Sequence, residues 1–208
     1  MGQYYSEINL PPFPEELLPL SSLEDNVVPD IGYGRTYNVN GTSLIPAKYQ
    51  FSIIYNSQTG QTADPKAFEW LRTISATPFK HMTMVQTAWD GNAHIVHSDL
   101  IRRYALNYWW DIGGDNVITS WYREKGKPLH RTKTVRDWQT DTGPVDYENL
   151  ELLESVCFKP KTWYLMSTSV LHDVQNITGR RQGITVGFVD SSIVVNANPL
   201  FVLPDATR

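Results

Sequence analysis

From Arg181 to Phe188 apolar and polar positions alternate, so that Arg181, Gly183, Thr185 and Gly187 share one face while Gln182, Ile184, Val186 and Phe188 share the other. The second face suits a core. The first carries one guanidinium, one hydroxyl and two positions without side chains, which predicts room for a ligand. Short apolar, β-branched or aromatic runs at residues 49–55, 82–89, 93–99, 103–110 and 117–122 read as further strands, with Gly113, Gly114, Asp115 and Asn116 as a turn. Helical spacing is found at Ala67, Phe68, Leu71 and Ile74, opened by Asp64 as N-cap with Pro65 in the first turn and closed at Thr77-Pro78. Short strands with frequent turns predict a mainly β fold, a sandwich or barrel braced by one or two helices.

Two segments break the rhythm. Residues 1–30 carry Pro11, Pro12, Pro14, Pro19 and Pro29, which predicts an extended arm ahead of a single domain at 31–208. Residues 123–144 are polar and basic, with Arg123, Lys125, Lys127, His130, Arg131, Lys133 and Arg136. Such a stretch reads either as a lid that gathers an acidic substrate or as a solvated loop.

Composition narrows the class. A chain of 208 residues buries one full core, and its net charge of -4 argues against general nucleic-acid binding. The single cysteine, Cys157, makes no internal disulfide, which fits a reducing compartment such as the cytoplasm. No apolar run reaches the length of a membrane span.

The candidate chemistry lies in a split set of metal-ligand types. Residues two apart on a strand project from one face, so His97 and Asp99 can share a metal while Ser98 cannot; His94 is expected on the opposite face. A third ligand is sought at His172, after the apolar segment that begins at Trp163. Two imidazoles and one carboxylate suit non-haem Fe(II), because they leave coordination positions open. Arg181 is a candidate anchor for a carboxylate, since its donors form a fixed fork. Arg180 competes for that role, because a register error of one residue exchanges the two faces.

The pattern His97-Ser-Asp99, His172 and Arg181, with the flanking runs from Arg103 to Tyr108 and from Leu171 to Asn176, resembles the 2-oxoglutarate/Fe(II)-dependent oxygenase superfamily. Residues 82–189 are similar to its small prolyl- and aspartyl-hydroxylase-like members, many of them encoded by bacteria and marine phages. The resemblance implies a double-stranded β-helix (jelly roll). It implies iron held by His97, Asp99 and His172, and 2-oxoglutarate anchored by Arg181 with Asn107 and Thr185 near it. The reaction would be hydroxylation of a small-molecule or peptide substrate with release of succinate and CO2. Two rival readings keep the barrel without this chemistry. One is an inert structural or virion-type assembly module using the N-terminal arm, and possible self-association, for contacts. The other is a cupin-like isomerase or sugar-binding protein, which needs no Arg181.

Overall fold

The structure, a computed structural model, describes residues 4–29, 34–39, 41–56, 59–74, 83–99, 103–126, 132–133, 140–142, 147–188, 192–193 and 201–202. In chain order, strands β1 (Tyr5–Ile8), β2 (Glu24–Pro29), β3 (Tyr37–Val39), β4 (Thr42–Leu44), β5 (Lys48–Asn56) and β6 (Gln61–Thr62) precede the helix α1 (Pro65–Ile74). Then come β7 (Thr83–Trp89), β8 (His94–Asp99), β9 (Tyr104–Ile112), β10 (Ile118–Glu124), β11 (Thr132–Lys133) and β12 (Thr140–Thr142). The chain continues with β13 (Leu150–Val156), β14 (Trp163–Ser167), β15 (Leu171–Gln175), β16 (Arg181–Phe188), β17 (Ser192–Ile193) and β18 (Phe201–Val202).

Strands β7 to β10 pair with β13 to β16 in reverse order, β7 with β16, β8 with β15, β9 with β14 and β10 with β13, every pair antiparallel. The chain is thus one long hairpin folded on itself. Further pairing of β9 with β16 and of β10 with β15 rolls that hairpin into two facing sheets. The first runs β1-β14-β9-β16-β7-β5-β2 and the second β11-β12-β8-β15-β10-β13. This is the double-stranded β-helix, or jelly roll.

One face of the first sheet is covered by the helix. Ile54, Val85, Leu106, Tyr108, Ile184 and Val186 pack with Ala67, Leu71 and Ile74 of α1. The helix begins where its sequence signals place it, with the amide of Ala67 donating to Asp64 Oδ1 at 3.0 Å. Because Ile184 and Val186 point to the helix, the alternate residues of β16 point between the sheets.

The proline-rich segment is part of the body. Phe13 is buried in the helix-covered core, with its ring centroid 5.1 Å from that of Trp70. The indole of Trp163 donates to Pro11 O at 2.8 Å, and β1 extends the first sheet beside β14. Prolines have no amide hydrogen to pair, so the segment docks through side chains and carbonyls between its short elements. Most of the basic stretch after Gly126, and the apolar tail at 193–204 except Ile193, Phe201 and Val202, lie outside the described residues.

Candidate functional site

Between the sheets, Trp121 is packed with Tyr4, Ala105, Tyr164 and Met166, and its indole donates to Ser167 O at 2.9 Å. The histidines lie beside this cluster, since Trp121 is the cross-strand partner of His172.

His97 on β8 and His172 on β15 are cross-strand partners, and their ring centroids are 4.3 Å apart. Each is almost fully buried. His97 Nδ1 is 2.8 Å from Ile95 O, and His172 Nδ1 is 2.8 Å from Val170 O. A carbonyl oxygen only accepts, so both rings carry a proton on Nδ1, which leaves Nε2 as the nitrogen a metal would meet. Burial holds His97 well below the usual histidine range, helped by His94 and His172 and opposed by the carboxylate of Asp99. A neutral imidazole at neutral pH follows.

Asp99 lies at the end of β8, half-buried, with its amide donating to Thr168 O at 2.7 Å. Among the described residues no group of three or more His, Cys, Asp or Glu side chains is drawn together as a cage for a metal ion. What fits a metal here is the donor chemistry: two imidazoles side by side, and a carboxylate two residues after the first.

His94 differs from the expectation of an opposite face. Residues 94 to 97 of β8 lie opposite residues 172 to 174 of β15, one more on the first strand than on the second, so β8 carries a bulge. The extra residue turns His94 to the interior, its ring centroid 3.9 Å from that of His97 and 4.4 Å from that of Tyr49 on β5. A strict two-residue period hides this; the three-residue spacing of His94 and His97 within one strand was the available sign.

Arg181 is where the alternation puts it, buried on the interior face of β16, whereas Arg180 is exposed. Loss of water pushes the Arg181 guanidinium down to about 10, which still leaves it charged at neutral pH, and Tyr49 lies near enough to act on it electrostatically. Tyr49 thereby borders both His94 and Arg181. Asn107 and Thr185 are cross-strand partners on this interior face, both buried.

The Gly183 position of that face is not equivalent to empty space. Trp109 on β9 lies opposite Gly183, and a Cβ at Gly183 would collide with the indole at Cε3 and with the Tyr108 carbonyl. The space freed by Gly183 therefore holds an indole. That indole carries the guanidinium of Arg181, whose Cζ is 4.0 Å from the ring centroid. Sequence reading passed over Trp109, although a glycine inside a strand is a recognised sign of close approach.

On the opposite face of the second sheet, Asp173 is fully buried and accepts from Tyr122 Oη at 3.1 Å, Tyr147 Oη at 3.0 Å and Gln175 Nε2 at 2.5 Å. Burial dominates over these donors and pushes its carboxyl up to about 7. This cluster fixes β15 from behind, beside His172.

No protein-family model matches the chain, and no curated protein matches it in sequence. Among solved structures it is similar to an oxidoreductase of the 2OG-Fe(II) oxygenase family from Burkholderia pseudomallei, at 9% identity and a TM-score of 0.46, over 79% of this chain and 72% of that one. It is also similar to ycfD of E. coli, at 14% identity and a TM-score of 0.40, over 89% of this chain and 49% of that one, so it spans about half of that protein. Among the described residues no helix is long and apolar enough to cross a membrane.

Proposed function

We propose that this protein is an Fe(II)- and 2-oxoglutarate-dependent oxygenase that hydroxylates its substrate and releases succinate and CO2. His97, His172 and Asp99 would hold the iron, and Arg181 would pair with the far carboxylate of 2-oxoglutarate. The observation that carries this reading is the combination of two Nδ1-protonated imidazoles on adjacent strands with a buried guanidinium on the facing sheet. Bound Fe(II) would supply dioxygen activation and the oxidation of an unreactive C–H bond.

This chain's own residues set the stage for that chemistry. The backbone carbonyls of Ile95 and Val170 orient the two rings and fix their tautomers. Asp99 would bring a negative charge that the two imidazoles do not supply. Arg181, seated on Trp109, sets how far from the histidines a dicarboxylate ends, and Asn107 and Thr185 flank its path. Arg180, being exposed, takes no part.

Succinate release tests the proposal. Protein incubated with Fe(II), ascorbate, dioxygen and 2-oxoglutarate should form succinate above the protein-free rate, faster with the right small molecule or peptide, and His97→Ala should abolish it. Wild-type protein that forms none under any of these conditions would instead point to a jelly-roll module with a structural or assembly role.

A further inference from the structure

Strands β9, β10 and β14 carry four tryptophans, and three of them have an acceptor for the indole N–H. Trp110 donates to Gln182 Oε1 at 3.1 Å, Trp121 to Ser167 O at 2.9 Å and Trp163 to Pro11 O at 2.8 Å. Trp109 does not: its Nε1 is buried and meets no hydrogen-bond partner among the described residues. The same holds for Nε of Arg181, the residue stacked against its ring. Buried N–H groups in folded proteins are paired in the great majority, so two orphan donors in one contact call for a common explanation.

We propose that Trp109 is a second binding residue of the anion pocket, its indole N–H and the Arg181 guanidinium donating together to one carboxylate of the ligand. This rests on the oxygenase reading for the identity of the ligand, whereas the two partnerless donors stand independently of it. Both donors are acceptor-poor groups: an indole N–H and a guanidinium offer hydrogens and no lone pair. A pocket made of them favours an end group that only accepts and is negative, which describes an ionised carboxylate and excludes an amine or an ammonium. A carboxylate has enough lone-pair directions to take hydrogens from the fork and from an indole at once.

The backbone is arranged for this pair. The register of β16 against β9 shifts between Gln182 and Gly183, which brings Trp109 opposite Gly183. Having no Cβ, Gly183 lets the indole lie against β16 next to Arg181, where any other side chain would displace it. Trp109 and Arg181 are each about as buried as the core around them, at 3% and 5% exposure, so a hydrogen bond made here is little contested by bulk water.

Trp109→Phe is the informative variant, because it keeps an aromatic surface under the guanidinium and removes the N–H alone. Dissociation constants are measured anaerobically by calorimetry on Co(II)-loaded wild type and variant. The ligands are 2-oxoglutarate, 2-oxobutyrate, which lacks the distal carboxylate, and glutarate, which lacks the keto group. Expected is a loss of about tenfold, or about 1.4 kcal/mol, for 2-oxoglutarate and glutarate, no change for 2-oxobutyrate, and unchanged Co(II) affinity. A variant that binds all three ligands as the wild type does overturns the proposal and leaves the oxygenase reading standing. Wild type that binds glutarate in a Trp109-dependent way but no 2-oxo acid upholds the pocket and sinks the oxygenase reading. Wild type that binds none of the three overturns both. Should Trp109→Phe fold poorly, Gly183→Ala, which pushes the indole out of its seat, gives the same comparison among ligands.

Discussion

His97 and His172 face each other across β8 and β15 with ring centroids 4.3 Å apart, each ring held through Nδ1 by the carbonyl two residues before it. Neither ring needs a distant partner to set its tautomer; the strands that carry the histidines also orient them. In the proposed site all three ligands, His97, Asp99 and His172, would therefore come from two adjacent strands.

Arg181 and Arg180 should behave oppositely. Arg181→Gln removes a charged donor from a buried position, and such hydrogen bonds contribute about 1.5–3 kcal/mol, so 2-oxoglutarate affinity should fall about 10- to 100-fold. Arg180→Gln, at an exposed position, should leave it within about twofold. Equal effects of the two substitutions in a calorimetric titration would contradict the assignment of the anchor.

Phe13 ties the proline-rich segment to the helix-covered core, where it is 2% exposed. Phe13→Ala should cost about 3 kcal/mol, seen as a fall of roughly 10 °C in the thermal midpoint. A change under about 1 kcal/mol would mean that residues 4–20 are an appendage after all.

Asp173 should give stability a distinct pH dependence. Its carboxyl sits at about 7 in the fold against about 4 in an unfolded chain, so between these values the folded protein binds a proton that the unfolded chain has lost. Stability from this group is therefore present at low pH and lost as pH rises through 7, with a ceiling of about 4 kcal/mol. Urea unfolding of metal-free wild type and Asp173→Asn at pH 5 and pH 7.5 checks the sign. The stability advantage of wild type over the variant should shrink at the higher pH, and an advantage that grows would contradict it.

Regular strands were legible in the sequence where one face is apolar throughout. The range of β16 follows from alternation, which left Arg181 and Arg180 in competition until the register buried the first and exposed the second, and α1 starts at its proline behind the Asp64 cap. Irregularity was not legible. His94 faces inward because a bulge adds one residue to β8, and nothing in a two-residue period announces a bulge. The segment from Trp163 to His172 is two strands in different sheets, since β14 ends at Ser167 and β15 begins at Leu171. The seat of Trp109 over Gly183 and the tyrosines behind Asp173 depend on residues brought together from 26 to 74 positions apart, which local pattern does not encode. Proline content suggested an extended arm, and the contacts that pack it, Phe13 in the helix-covered core, Trp163 on Pro11 and β1 beside β14, join residues far apart in sequence.

The most direct test of the central claim is optical. Fe(II) and 2-oxoglutarate are added anaerobically to the purified protein and the visible metal-to-ligand charge-transfer band is recorded. Wild type should develop the band, His172→Ala should not, and Arg181→Gln should require far more 2-oxoglutarate to reach it. A wild-type protein that shows no band at saturating Fe(II) and 2-oxoglutarate, or a His172→Ala variant that develops it in full, would contradict the account.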